Sequence, residues 1–416
     1  MQEIIFKKRI VVGESEMLRV GKRLFNLAKN LFVGLIGILL GKNERTVLVG
    51  AWMGDKFADN SRFLFQYLSN HKKELNINHV VWATRSRQVL ELLESYGYEC
   101  VLIGTLKSFY WHCKSGIHII CNVYGDEGKY TADIDTSLSA FSKKVQLWHG
   151  NGIKRVEGTN MNRTHETRFH KILRCVTASG GWTSGNYYLL CKSDLDAEFF
   201  EIKFGANKAY CIDAAYPRTC RCEKYLPEEE KVLNGLGGFD GVILYLPTFR
   251  DSYEEFIHPL DIETVRTYIE ESNYLWIEKP HSADSNGNSV EKREGKNYLL
   301  LNSDFDINIL FPYIDMLVTD YSSAMLDALY FRKKILYYVP DYIYYISKDR
   351  GFLMDYDSIC ITPKVERPSD LQERLIALMS DTTKYDAKAE KIRKLFWKYD
   401  NWTCQEIWKA ILKKIH

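Results

Sequence analysis

The chain has 416 residues, of which 46% are hydrophobic and 26% are charged. This composition is that of a folded protein and excludes a disordered chain, while the length exceeds that of one ordinary domain. The net charge of +2 excludes the strongly basic character typical of nucleic-acid-binding proteins. Ten cysteines lack the paired spacing of a zinc site, which predicts free thiols in a reducing cytoplasm.

Residues 1–43 predict an amphipathic segment that associates with a membrane surface. The apolar run at 31–40 is about half of the ~20 residues that a membrane-spanning helix needs. Lys22, Arg23 and Lys42 flank this run, as in helices that lie among the head groups of an anionic membrane. A first helix that is buried against the protein or against a partner is the alternative interpretation.

Residues 44–220 predict a Rossmann-like domain, because strand-like and helix-like segments alternate there as in a parallel sheet covered by helices. The predicted strands are 46–52, 79–84, 100–103, 117–122 and 144–148, and the predicted helices are 61–73, 86–96 and 106–114.

Residues 221–385 predict a second Rossmann-like domain by the same alternation. Its predicted strands are 242–247, 275–279, 298–301, 316–319 and 334–339, and its predicted helices are 265–271, 307–311, 323–331 and 371–379. Residues 386–416 predict basic helices that pack back on the first domain. The fold class is therefore α/β with two doubly wound domains and a ligand cleft between them, as in GT-B transferases.

The segment 317–327 predicts an anion-binding site. A buried strand ends at Asp320, and Ser322 and Ser323 then open a segment whose apolar residues recur at helical spacing. Asp and Ser side chains accept hydrogen bonds from the first N–H groups of a helix, and the remaining groups there favour phosphate. An ordinary helix cap is the alternative interpretation.

A second predicted site residue is His149, which follows a strand and precedes Gly150 of a Gly-x-Gly turn. Histidine titrates near neutral pH, so at the edge of a cleft it can accept a proton from a hydroxyl group. Glycine lets a substrate approach the backbone closely. Lys154 and Arg155 would hold the negative charge of a phosphate. A purely structural histidine is the alternative.

Two strands of the second domain also end in groups that suit phosphate. Thr248, Arg250 and Asp251 follow one strand, while Lys279 and His281 follow the next. Arginine binds phosphate with a two-pronged guanidinium. Each segment taken alone is equally consistent with a surface loop, but together they predict a two-sided site with His149 opposite the phosphates. No spacing of residues predicts a metal or a cofactor.

In these segments the chain resembles the CDP-glycerol glycerophosphotransferase family of teichoic-acid primases and polymerases and related capsule polymerases. The matching motifs are Trp148-His149-Gly150, Pro247 to Asp251, Thr319 to Ser323 and the following Asp327. They cover about residues 140–360. Of the family's Gly-x-Pro-Arg-Asn-Asp segment only Pro217 and Arg218 are kept, so that loop is given no role. Residues 1 to about 130 match weakly, although 58–62 resembles the family's acceptor-side segment.

The resemblance implies transfer of glycerol phosphate or ribitol phosphate from a CDP-alditol to an acceptor hydroxyl, with release of CMP. It implies that His149 and His281 are the catalytic residues, with His281 at the donor diphosphate. The implied substrate-binding residues are Gly150, Lys154, Arg155, Thr248, Arg250, Asp251, Lys279, Asp320, Ser322, Ser323 and Asp327.

The implied acceptor is lipid-linked or an oligosaccharide, met at the cytoplasmic face of an anionic membrane. Two other functions fit the same sequence. One is a GT-B glycosyltransferase that uses a sugar nucleotide for surface polysaccharide synthesis. The other is a non-catalytic assembly protein that retains the cleft.

Overall fold

The computed structural model describes most of the chain, and the ranges with described backbone are 16–122, 132–150, 152–153, 168–183, 186–204, 206–248, 256–279, 295–348, 352, 354–381 and 386–416. Five predicted site residues lie outside the described residues: Lys154, Arg155, Arg250, Asp251 and His281.

The first half of the chain forms a seven-stranded sheet in which all neighbouring strands are parallel, in the order β3-β2-β1-β4-β5-β6-β7. Its strands are almost fully buried, as expected of a parallel sheet covered by helices on both faces. The strands are β1 (Asn43–Val49), β2 (His79–Thr84), β3 (Glu99–Leu102), β4 (Ser115–Ile120), β5 (Lys143–Gln146), β6 (Tyr188–Cys191) and β7 (Cys211–Asp213), and the helices are α1 (Glu16–Leu39), α2 (Asp59–Asn70), α3 (Arg87–Ser95), α4 (Leu106–Lys114), α5 (Arg168–Thr177) and α6 (Asp194–Phe204).

The second half forms a five-stranded parallel sheet in the order β10-β9-β8-β11-β12. Its strand order reverses between β8 and β11, the place where ligands bind in open α/β sheets. The strands are β8 (Gly241–Leu246), β9 (Tyr274–Glu278), β10 (Tyr298–Leu300), β11 (Met316–Thr319) and β12 (Lys334–Tyr337), and the helices are α7 (Pro227–Gly235), α8 (Glu263–Glu271), α9 (Ala324–Tyr330), α10 (Tyr342–Lys348), α11 (Tyr356–Ile359) and α12 (Leu371–Ser380).

The last part of the chain joins the two halves. Helix α14 (Cys404–Ile415) lies against α2 and β7, whereas α13 (Ala387–Phe396) contacts both α6 and α9. After α13, the indole Nε1 of Trp397 donates a hydrogen bond of 2.7 Å to the Leu326 carbonyl in α9. The C-terminal segment therefore packs on helices of both halves of the chain, whereas the sequence had predicted packing on the first domain alone.

The predicted α/β class with parallel sheets is confirmed, and the predicted strands match observed ones within a few residues. Two strands were missed, β6 and β7, although strands that are equally short, such as β3 and β10, were predicted. The helix predicted at 307–311 was wrong, since that segment forms a single 3-10 turn at Ile307–Ile309.

Helix α1 packs on α4 and α5. The side-chain amide of Asn30, which is 4% exposed, donates to the carbonyls of Val176 and Ala178, both at 2.8 Å. Among the described residues, no helix combines the length and the apolar content that crossing a bilayer requires.

Candidate functional site

A cleft lies between the two sheets, at the ends of the strands that the sequence patterns had indicated. One wall includes Trp52 and Asp59, which lie between β1 and the body of α2, and His149, which follows β5. The other wall comes from the second sheet and includes five residues or short runs: Pro247, Lys279, residues 304–308, residues 322–324 and Asp327. The structure thus brings His149, Lys279, Ser322, Ser323 and Asp327 to one cleft.

His149 follows β5, and its ring is held in a defined orientation by a hydrogen bond to the segment after β4 and by two tryptophan rings. Its Nδ1 lies 2.9 Å from the carbonyl oxygen of Cys121. Because a carbonyl only accepts, Nδ1 carries the proton in this bond and Nε2 carries the lone pair. The ring packs against Trp148 and Trp52, with centroid distances of 4.6 and 5.6 Å. This is the tautomer that a proton acceptor needs.

The two glycines after His149 have different surroundings. A Cβ atom added to Gly150 would lie 3.8 Å from the Oγ atom of Ser323, at an ordinary contact distance across the cleft. A Cβ atom added to Gly152 would lie 2.4 Å from the ring of Phe199 in α6. Gly152 is therefore required for packing, whereas Gly150 marks the place where the two walls approach each other.

In the predicted anion site, the two serines lie at the cleft surface, whereas Asp320 is buried beside it. Ser322 and Ser323 line the cleft. Asp320 is 2% exposed and turns back under β8, where it accepts hydrogen bonds from Thr248 N (2.9 Å) and Thr248 Oγ1 (2.5 Å). It also accepts one from Tyr321 N at 2.6 Å. Thr248 and Asp320 therefore tie the ends of β8 and β11 together beside the cleft.

Positive charge reaches the cleft through Lys279 and Lys56. Burial is the main cause that lowers the pKa of Lys279 to about 8, and the nearby charge of Lys56 adds to it. The Nζ atom of Lys56 donates to the Ser303 carbonyl at 2.9 Å and pairs with Asp304 at 3.1 Å. Both lysines are suited to stabilise a bound phosphate, and the Lys56 contacts also link the two halves.

Sequence reasoning missed most of a buried ionic network that reaches the walls of the cleft at Asp59, Arg218 and Asp306. Arg62 in α2 bonds Glu229 in α7 at 2.5 and 2.6 Å, so this pair joins the two halves. The Oδ2 atom of Asp306 accepts a hydrogen bond from Asp59 N at 2.8 Å. Burial raises the pKa of Asp59 to about 6, although the charge of Arg218 opposes this. The sequence held two signals of this network: Arg218 is kept in an otherwise altered motif, and the segment 58–62, which contains Asp59 and Arg62, resembles the family's acceptor-side segment.

The sequence profile of one family, described as CDP-Glycerol:Poly(glycerophosphate) glycerophosphotransferase, matches residues 34–413. The chain belongs to this family. The predicted resemblance is confirmed for residues 34–413, and this range includes 34–130, where the motifs are weak.

Individual proteins that are similar to this chain belong to teichoic acid synthesis, in agreement with the family match. A teichoic acid poly(glycerol phosphate) polymerase of Bacillus spizizenii is 25% identical over 367 residues, covering 83% of this chain and 86% of the relative. The polymerase of the same name from Bacillus subtilis is 23% identical over 90% of this chain, which spans only 49% of that protein. Among solved structures, the wall teichoic acid polymerase TagF has the same fold, with a TM-score of 0.67 and 19% identity over 96% of this chain and 97% of that one.

No metal centre is evident in the part of this glycerophosphotransferase-family chain that the structure describes. Within those residues, no three His, Cys, Asp or Glu side chains are grouped so that they could hold an ion. The cleft therefore offers hydroxyl groups and cationic side chains as the described ligands for a phosphate.

Proposed function

We propose that the chain transfers glycerol phosphate, or another polyol phosphate such as ribitol phosphate, from a CDP-alditol to an acceptor hydroxyl in the synthesis of a teichoic-acid-type polymer. The observation that carries this proposal is the approach of Gly150 to Ser323. It puts the loop of a candidate proton acceptor next to hydroxyl groups that suit a donor phosphate. Membership of the glycerophosphotransferase family supports the choice of donor.

The positions of these groups support a direct transfer of the phosphoalditol to the acceptor. The acceptor oxygen attacks the phosphorus that bears the alditol, its proton passes to Nε2 of His149, and a new phosphodiester bond forms. The bond between this phosphorus and the bridging oxygen breaks, and CMP leaves. Charge on the transferred phosphoryl group is stabilised by Lys279, Ser322 and Ser323, which is the main catalytic contribution expected for phosphoryl transfer.

Other predicted residues complete the proposed site. Lys154 and Arg155 follow the His149 loop in the chain, and we assign them to the negative charge on the phosphate under attack. Arg250, Asp251 and His281 are assigned to the donor diphosphate, as the family resemblance implies. Thr248, Asp320 and Asp327 are assigned to supporting the donor side, because Asp320 braces Thr248 and Asp327 lies on α9 directly after the two serines.

The first test is incubation of the purified chain with CDP-glycerol or CDP-ribitol and a panel of lipid-linked and oligosaccharide acceptors. We expect release of CMP and a product that contains the added phosphopolyol, both measured by mass spectrometry. If both CDP-alditols are inert while a UDP-sugar donates its sugar without phosphate, the glycosyltransferase alternative is correct. If no donor is used, the assembly-protein alternative is correct.

The role of His149 is tested by His149→Asn, which keeps a donor for the Cys121 carbonyl and removes the proton acceptor. Loss of a general base lowers kcat by about 10²–10⁴-fold. The matched control is His79→Asn, since His79 lies at the start of β2 and pairs with Glu99 at 3.0 Å, away from the cleft. Equal turnover of His149→Asn and the wild type would remove His149 from the mechanism.

We also propose that α1 and α5 hold the protein on an anionic membrane surface. Helix α1 exposes large apolar side chains, among them Phe25 (67%), Phe32 (55%) and Ile38 (75%), and α5 beside it exposes Phe169 (71%) and Ile172 (58%). Near its start α1 also exposes Lys22 and Arg23, which suits contact with anionic head groups. The ten cysteines are free thiols, which agrees with the reducing cytoplasmic side of the membrane.

Membrane association is tested by co-sedimentation with vesicles of phosphatidylglycerol and phosphatidylcholine. We expect Phe25→Ser combined with Phe32→Ser to lower the bound fraction. Ile343→Ser, which removes an equally exposed apolar side chain (71%) from α10, serves as the control and should bind like the wild type. Binding that is unchanged by the double substitution would refute the assignment of α1.

A further inference from the structure

One buried arginine, Arg218, contacts both walls of the cleft at once. It lies in a 3-10 turn at Pro217–Thr219, after β7, and is 4% exposed. Its Nη1 atom donates to the carbonyl oxygen of His149 at 2.7 Å and to Asp59 Oδ1 at 3.0 Å. Its Nε and Nη2 atoms lie 3.0 and 2.8 Å from Asp327 Oδ1. All three nitrogen atoms of the guanidinium group therefore have hydrogen-bond acceptors.

These acceptors belong to different parts of the proposed site. The His149 carbonyl is in the loop that carries the candidate proton acceptor, and Asp59 begins α2 on the same wall. Asp327 belongs to α9 of the second sheet, one turn after Ser322 and Ser323. A single planar cation thus joins the backbone of the acceptor-side loop to the helix of the donor side.

The loop around His149 is held at three successive carbonyl groups. Asn60 Nδ2 donates to the Trp148 carbonyl at 2.8 Å, and the Tyr216 hydroxyl donates to the Gly150 carbonyl at 3.3 Å. Arg218 supplies the middle contact, and its own backbone N–H donates to Asn60 Oδ1 at 3.1 Å. Of these contacts, the one made by Arg218 extends to the second sheet.

Lysine could not replace this arginine without loss. A guanidinium presents five N–H donors in a fixed plane, whereas an ammonium is a compact charge with three donors on a flexible stem. At this position the plane satisfies one carbonyl and two carboxylates that are themselves buried, with side chains 5% and 9% exposed for Asp59 and Asp327. A lysine at 218 would keep the charge but could not hold all three partners at their present spacing.

We propose that Arg218 is a positioning residue that sets the distance between His149 and the donor phosphate by locking the 148–150 loop to α9. The proposal rests on the proposed function for the reaction it serves. Because the lining serines and Lys279 stay in place, loss of Arg218 lowers the rate of transfer and leaves the affinity for the donor largely intact. A merely structural arginine would instead affect stability without a specific effect on the rate.

The kinetic test compares Arg218→Lys with Arg393→Lys. Arg393 is a matched control, because its side chain is 3% exposed and pairs with Glu390 and Asp400, both at N–O distances below 3 Å, outside the cleft. With CDP-glycerol as donor, we expect Arg218→Lys to lower kcat about 100-fold with little change in KM, the effect of misplacing reacting groups by about 1 Å. Arg393→Lys should keep the wild-type kcat. Equal effects of the two variants on kcat would overturn the proposal.

Hydrogen–deuterium exchange of the ligand-free protein separates this inference from the proposed function. Arg218→Lys should speed exchange of the amides in 147–150 and in 324–330, whereas Arg393→Lys should leave exchange in 147–150 unchanged. Asp327→Asn is the second variant in case Arg218→Lys does not fold, and it should speed exchange in 147–150 although it lies on the other sheet. Unchanged exchange at 147–150 in these variants refutes the locking role. Inert CDP-glycerol with the expected exchange pattern refutes the proposed donor alone.

Discussion

Replacing Gly150 by alanine tests whether the acceptor and the donor phosphate meet beside this residue. The added methyl group would lie 3.8 Å from Ser323 Oγ, which is an ordinary contact, and Gly150 does not have the positive φ that disfavours alanine. The fold should therefore accept the substitution. Stability should stay equal or rise by about 0.4–1 kcal/mol, because alanine reduces the freedom of the unfolded chain.

Turnover should nevertheless fall. If the methyl group displaces the reacting atoms by about 1 Å, kcat falls on the order of 100-fold, which corresponds to about 2.7 kcal/mol in the activation barrier. The measurements are CMP release under saturating CDP-glycerol and urea denaturation of the same preparation. A stable Gly150→Ala protein with reduced kcat is the expected result.

Two other glycines provide controls for this experiment. Gly21→Ala in α1 has no heavy atom within 4 Å of the new Cβ, so activity should be unchanged. Gly152→Ala should destabilise the protein, because the new Cβ would lie 2.4 Å from the Phe199 ring. Wild-type kcat in Gly150→Ala would refute the placement of the reaction beside Gly150, and loss of folding in that variant would contradict the observed space.

Two further predictions concern pH. Burial is the main cause that lowers the pKa of Lys279 to about 8, so the side chain is cationic below this pH and loses its charge above it. The KM for CDP-glycerol, measured in a steady-state pH series, should therefore rise above about pH 8. Lys279→Arg stays charged and should lack that rise. Burial is the main cause that lowers the pKa of Lys144 from 10.5 in the unfolded chain to about 7 in the folded protein. Between these two pH values the unfolded chain binds one proton more than the folded protein, so the free energy of unfolding should rise with pH. Lys144→Met should reduce that slope by about 1.4 kcal/mol per pH unit in urea denaturation, and an unchanged slope would show that Lys144 stays charged in the folded protein.

Local sequence patterns were sufficient for most of the fold. The long strands β1, β2, β4 and β8 are apolar runs bounded by polar or turn-forming residues, and such runs are buried in a parallel sheet whatever lies around them. Strands β6 and β7 were missed, whereas the equally short β3 and β10 were predicted; in segments of this length the local pattern is weak and the conformation also depends on pairing with the neighbouring strand. The same limit applies to the 307–311 segment, where a short apolar pattern formed one 3-10 turn.

The sequence by itself determined which strand ends carry polar groups, and therefore that His149, Lys279, Ser322 and Ser323 follow strands whose carboxyl ends face one cleft. This is possible because adjacent residues share one strand and one loop, so their placement is a local property. The tertiary structure alone decided which side chains point into that cleft. Asp320 is adjacent to the serines in sequence, yet it turns inward to Thr248, because a buried carboxylate needs hydrogen-bond donors.

Only the tertiary structure could reveal the network around Arg218. Its partners Asp59 and Asp327 lie 159 and 109 residues away in sequence, on different halves of the chain. No local period connects such residues, so the sequence does not show that they are partners. They become one unit because folding removes all of them from water, after which each charge needs a partner of opposite sign.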